Sequence, residues 1–223
     1  MIKVNQDILK IIALIAMTVD HLARVSGYMV LGPFVLFGRL AFPIFGFLIM
    51  YHLWQKRCYV KYLQRLTIFG IFSQIIFMPF GYSSNILISF LWPVLTLYLF
   101  DKIQHSHLKN IARYLLNTLI VFIGIFISSF FDYNEFGYLY LLLMYAFLKY
   151  RTLPIGVLLA ISALSINGFN IYESLIGFVT TFGLFMIPIV GGKRLISWKY
   201  ALYIYYPLHL VILLSLKYFG LFG

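Results

Sequence analysis

Long apolar runs, each near the length of a membrane-crossing helix, recur along the whole chain with short polar breaks between them. They fall at 8–30, 34–53, 60–79, 85–100, 112–131, 136–149, 153–167, 172–190 and 200–219. Roughly 20 apolar residues cover a bilayer core as helix, so the pattern predicts about nine transmembrane helices. The runs are too long and unbroken for barrel strands, which alternate in shorter pieces. Those at 136–149 and 153–167 are short enough that merging or re-entrance stays open there.

Composition narrows the class. Of the 223 residues 63% are hydrophobic, 20% aromatic and only 10% charged, and the mean hydropathy is +0.96. A soluble domain of this length needs far more polar surface. The expectation is an all-α polytopic membrane helix bundle, one domain over 1–223, since no linker, repeat or low-complexity segment interrupts it. A formal charge of +11 is large enough for a nucleic-acid partner, but the basic residues form no polar, basic run and sit in short clusters between apolar runs. One cysteine, Cys58, excludes an internal disulfide. The first apolar run is not read as a cleavable signal, because it is too long and holds Asp20 and His21.

Charge then orients the bundle. Lys3 and Lys10 precede or open the first run, and Lys56, Arg57, Lys61 and Arg65 surround the second connection. Lys102, Lys109 and Arg113 surround the fourth, Lys149 and Arg151 the sixth, and Lys193, Arg194 and Lys199 the eighth. The third, fifth and seventh connections carry Asp132, Glu135 and Glu173 and no Lys or Arg. Positive charge collects on the cytoplasmic side, so the N-terminus is expected inside and the C-terminus outside, with Arg24 and Lys217 as minor exceptions.

Ionisable groups inside a membrane helix cost a few kcal/mol each and mark cavities or chemistry. Asp20, His21 and Arg24 share the first run, Arg39 lies in GRLAFPIF, and His209 in IYYPLHLVIL beside Pro207. The expected topology puts His21 roughly 13 Å and Arg39 about 7 Å below the outer ends of their helices. Gln74 and Asn85 fall in the same outer half. Each has a plainer reading. Asp20 and Arg24 can pair at i,i+4. His21 cannot face Asp20 on one helix, because adjacent residues point about 100° apart. Gln74 and Asn85 can simply hydrogen-bond between helices. Lys61 and Arg65 share a helical face and can either hold an anionic cofactor tail or only set topology. The five histidines are scattered without ligand spacing, so no metal site is expected.

These residues also carry a resemblance. The segment from Asp7-Ile-Leu-Lys through Met17-Thr-Val-Asp20-His21 resembles the opening of the TraX family, the pilin-acetylating proteins of conjugative plasmids. The likeness continues through Gly38-Arg39-Leu-Ala-Phe-Pro43, Tyr62-Leu-Gln-Arg65, Ser73-Gln74, Asn85-Ile-Leu-Ile-Ser-Phe and Tyr206-Pro-Leu-His209. After Phe47 this chain reads Leu-Ile-Met-Tyr-His52, where family members often carry an acid and a glycine.

What the resemblance implies is a multi-pass protein of the bacterial inner membrane that moves an acetyl group from acetyl-CoA, its co-substrate, to the N-terminal amine of a pilin subunit. A distant likeness to transmembrane acyltransferases implies that His21 is the base, with Asp20 beside it and Arg39 polarising the thioester carbonyl. Gln74, Asn85 and His209 would then face the acceptor, and Lys61 and Arg65 the CoA tail. Two other readings stay open: a non-catalytic pilus-assembly accessory, and an O-acetyltransferase acting on a glycan.

Overall fold

Helices form where the apolar runs predict them. The computed structural model describes residues 4–26, 32–78, 85–167, 170–186, 189–190 and 200–220. Among these, nine helices have 13 residues or more: α1 (Gln6–Val25), α3 (Ala41–Lys56), α4 (Tyr59–Phe77), α5 (Ile86–Gln104), α6 (Asn110–Ser128), α7 (Asn134–Tyr150), α8 (Leu153–Ser165), α9 (Ile171–Met186) and α10 (Ala201–Tyr218). A seven-residue helix, α2 (Gly32–Gly38), precedes α3. Two short strands, β1 (Val4–Asn5) and β2 (Ile189–Val190), pair in parallel and tie the start of the described chain to the segment after α9. The basic positions Lys3, Lys193, Arg194 and Lys199 lie outside the described residues.

Among the described residues, four helical stretches are long and apolar enough to cross a membrane: Pro33–Lys56 (α2 and α3 taken together), Ile86–Gln104, Asn110–Ser128 and Ala201–Tyr218. α1 is as long but carries Asp7, Lys10, Asp20 and Arg24. Outward-facing side chains on the bundle are large and apolar, among them Ile68, Ile111, Phe122, Phe126 and Val179. A surface of that kind fits hydrocarbon rather than water.

The run at 34–53 departs from expectation. It is not one helix: a turn at Arg39-Leu40 separates α2 from α3. Two sequence features produce the break. Gly38 has no side chain, and an added Cβ would collide with Asp20 Cβ and lie 2.9 Å from its Oδ1, so only glycine lets the end of α2 press on α1. Pro43 falls in the first turn of α3, where a missing N–H leaves no bond unmade. The runs at 136–149 and 153–167 do not merge. Arg151 closes α7 in the left-handed region (φ 53°), and α8 opens with a proline in its first turn.

Helix α3 is the centre of the bundle, packed on α1, α7 and α9, while α4 and α5 pair and α10 seals against α1 and α4. Phe42, Phe47, Leu53, Tyr140, Leu141 and Met144 make its core and are buried to 2% exposure or less. Phe42 stacks on both Tyr133 and Phe90, at 3.9 and 5.3 Å between centroids. Buried hydroxyls are satisfied across helices: Tyr138 with Thr96 at 2.9 Å and Tyr140 with Thr181 at 2.7 Å. Gly124 of α6 makes the notch that admits the Tyr138 hydroxyl.

Gly124→Leu is expected to expel the Tyr138 ring and destabilise the fold by about 1–3 kcal/mol. Tyr138→Phe, which keeps the ring and loses only the bond to Thr96, should cost about 1 kcal/mol. Thermal unfolding in detergent checks the order of the two.

Candidate functional site: a histidine pair between two cavities

Helix α1 supplies the floor of the site. Asp7, Lys10, Leu14, Met17, Asp20, His21 and Arg24 recur at helical spacing and so lie along one face. That face spans about 25 Å of helix axis. Its two ends line two different cavities. The larger, about 800 Å³, takes Asp7, Lys10 and Leu14 from α1 and residues from the end of α3, the start of α4 and α10. The smaller, about 270 Å³, takes Asp20, His21 and Arg24, together with Arg39, the α6–α7 loop and the start of α9. Met17, Ile86 and Tyr206 line both.

His21 meets His209. Nδ1 of His21 lies 2.8 Å from Nε2 of His209. The ring centroids are 5.1 Å apart and the planes differ by 9°. That centroid separation is the N–N distance plus the two ring radii, so the rings meet edge to edge in one plane and do not stack face to face. His209 Nδ1 in turn lies 3.0 Å from the Tyr205 carbonyl oxygen. A carbonyl only accepts, so Nδ1 of His209 carries its hydrogen and its Nε2 is the acceptor. His21 then donates from Nδ1, and its Nε2 becomes the basic atom of the neutral ring. The tautomer of His21 is thereby set from α10. Around the pair, Tyr205 stacks on His209 (5.2 Å) and its hydroxyl meets Thr18 Oγ1 at 2.7 Å, while Tyr206 stands edge-on to His21.

Asp20 is turned to Arg24, which reaches it through Nε at 2.8 Å and Nη2 at 3.4 Å. Asp20, expected among the catalytic residues, makes the i,i+4 pair that its spacing from Arg24 allows. Arg39, held at the turn before α3, lies 2.6 Å through Nε from Glu173 Oε2 on the first turn of α9. The contact is close but off the hydrogen-bonding direction. His21, Asp20 and Arg39 line the same cavity.

Gln74 and Asn85 line neither cavity. The Asn85 amide donates to Gln74 Oε1 and the Gly70 carbonyl, both at 2.9 Å, and its Oδ1 caps α5 by accepting from Leu87 N–H at 3.0 Å. Their visible work is to join α4 to α5. His209, expected on the acceptor side, stands behind His21. Lys61 and Arg65 do line the larger cavity, with Lys10 and Lys56 and against the single carboxylate of Asp7. Arg65 also covers the Tyr200 ring at 5.3 Å.

Sequence reading missed Glu173, Asp132, Tyr133 and Tyr206 as site residues. The first three sit in connections whose acids signalled topology alone, and Tyr206 is one tyrosine among 18. Tyr133 and Asn134 have positive φ of 65° and 49° at the mouth of α7, a strained backbone that packing on Phe42 holds in place. Burial raises the Tyr133 hydroxyl to about 12, so it stays protonated and able to donate. Asp132 is pushed up to about 6 by burial, with Arg24 acting against the shift.

Taken together, these features define a helical membrane-type bundle with an internal polar site, built where α1 and α10 cross. The chain belongs to the TraX family, whose model, described as TraX protein, matches residues 5–217. A relative from Dichelobacter nodosus, named probable fimbrial assembly protein FimC, serogroup H1, is 26% identical over 248 aligned residues covering 95% of each chain. No solved structure matches the chain.

The Asp132 shift has a sign that can be tested. As pH rises past the ordinary carboxylate range the unfolded chain releases this proton first, so the folded state loses stability until about pH 6 and then levels off. Asp132→Asn should match the wild type near about pH 4 and exceed it in thermal stability near about pH 7, measured in one detergent across that range.

Proposed function

We propose that the chain is a membrane-embedded acetyltransferase that carries an acetyl group from acetyl-CoA to the N-terminal amine of a pilin subunit. The observation that carries this reading is the histidine pair: His209 and the Tyr205 carbonyl fix His21 with its Nε2 as base, in a cavity that adjoins a larger basic one. Membership of the TraX family and the printed name of the Dichelobacter nodosus relative support a pilin or fimbrial setting. The alternation of basic and acidic connections supports a bacterial inner membrane with the N-terminus cytoplasmic.

The chemistry suits the charges. CoA is polyanionic, and the larger cavity offers Lys10, Lys56, Lys61 and Arg65 against one acid. In the expected topology it opens to the cytoplasm, where acetyl-CoA is made. The smaller cavity combines Asp20, Asp132 and Glu173 with Arg24 and Arg39 and so carries an excess of carboxylate. A pilin amine, cationic before it reacts, suits that side. Attack by an amine needs its proton removed and the developing oxyanion stabilised. His21 Nε2 performs the first. Arg39 performs the second with its two terminal amino groups, while its Nε faces Glu173. A pilus-assembly role without chemistry is the second reading, favoured by the relative's name alone.

Intact-mass analysis of a co-expressed pilin should show the mass of one added acetyl group with the wild type and none with His21→Ala. Loss of the tautomer support in His209→Phe is expected to lower the acetylated fraction by about 10²-fold or more. Lys61→Glu with Arg65→Glu should raise KM for acetyl-CoA and leave kcat near the wild-type value. Full acetylation with His21→Ala would remove His21 as the base, and no acetylation with the wild type would leave the assembly reading.

A further inference from the structure

The two cavities adjoin and share part of their lining. Met17, Ile86 and Tyr206 are the residues that face both. Met17 follows Leu14 by one helical turn and precedes His21 by another, so it marks the change from one cavity to the other along the α1 face. Tyr206 is only 3% exposed and stands edge-on to both rings of the pair, at 6.2 Å from His21 and 5.6 Å from His209. Buried and set against both rings, Tyr206 has little room to move.

We propose that Met17, Ile86 and Tyr206 form the partition at which the acyl group is handed over, and that its tightness restricts the donor to the short acetyl chain. The proposal rests on the acetyl-transfer reading and names what sets the acyl length within it. The thioester lies on the basic side, and its carbonyl must come within reach of the amine held on the His21 side. The amine nitrogen bonds to the carbonyl carbon, the carbon–sulfur bond breaks, and the proton from nitrogen passes through His21 Nε2 to the departing thiolate. Products are an acetamide and CoA thiol. Only the methyl group of acetyl need be accommodated beside the partition. Each further methylene would press on Met17 or on a tyrosine that cannot swing away, and an interior of packed side chains yields little to added volume.

The full-length protein is reconstituted in vesicles and supplied with pilin and with acetyl-, propionyl- or butyryl-CoA. Wild type is expected to prefer acetyl. Met17→Ala and Tyr206→Ala should each raise the butyryl-to-acetyl ratio of kcat/KM by roughly tenfold or more, the scale set by a methylene in an apolar pocket. Tyr206→Phe, which keeps the ring, should retain the wild-type ratio. Passive proton leak of the same vesicles gives a readout that does not depend on chemistry: thinning the wall with Met17→Ala or Tyr206→Ala should increase it, and Tyr206→Phe should not. An unchanged ratio in both alanine variants overturns the proposal, whether or not leak rises, while acetyl transfer by wild type leaves the functional reading standing. A wild type that transfers no acyl group from any of the three donors overturns the functional reading and the proposal with it.

Discussion

The hydrogen bond between His21 and His209 is the constraint around which the other polar groups are arranged. In hydrocarbon a polar group finds no water, so each one must find a partner within the bundle. His21 on α1 finds His209 on α10, and His209 finds the Tyr205 carbonyl of its own helix. Asp20 takes Arg24, Arg39 takes Glu173, and Asn85 takes Gln74. Three of these contacts run between elements, tying α1 to α10, the α2–α3 turn to α9, and α4 to α5. The groups that are costly to bury are therefore also the ones that register the helices against each other. Between helices in a bilayer the hydrophobic effect supplies little of that registry, because lipid tails are as apolar as the side chains.

The same economy shapes the two cavities. A single face of α1 carries Asp7 and Lys10 at one end and Asp20, His21 and Arg24 at the other, with Leu14 and Met17 between them. An amphipathic face on a helix surrounded by other helices has to look onto internal polar space. The basic excess gathers at one end and the carboxylates at the other, so the two reactants of the proposed transfer differ in charge in the same sense as the cavities. In that proposal, separation by charge would keep CoA and amine from competing for one site without any moving part.

Much of this was legible in the sequence, and what was not has definite physical causes. Hydrophobic run length located nine helices because in a membrane it is nearly the whole of the folding code. It could not show the turn at Arg39-Leu40, since that break depends on Gly38 meeting Asp20 of another helix, although Pro43 marked the start of α3. Rarity singled out His21, Arg39 and His209, and cation clustering singled out Lys61 and Arg65. Pairing in the plane of the membrane was beyond reach, because spacing along one helix says nothing about which helix lies opposite. Hence the second imidazole beside His21 went unforeseen. Glu173 and Asp132 were read as loop charges, and they sit at the rim of the smaller cavity.

The pairing of Arg39 bears on what a guanidinium there can do. A cation held by one carboxylate in a low-dielectric pocket attracts an incoming anion less than a bare one would. Glu173 nevertheless fixes its position, and a positioned donor costs no reorganisation when charge develops on an oxygen. A bare arginine at that depth would bind anions indiscriminately and would carry the full penalty of an unpaired charge. The ion pair instead partly cancels the field of the guanidinium while holding it in place. That arrangement suits a transient oxyanion, whose charge appears only during reaction, better than a ground-state anion. In the proposed transfer, that is the demand made by the carbonyl of a thioester, which is neutral until the amine attacks it.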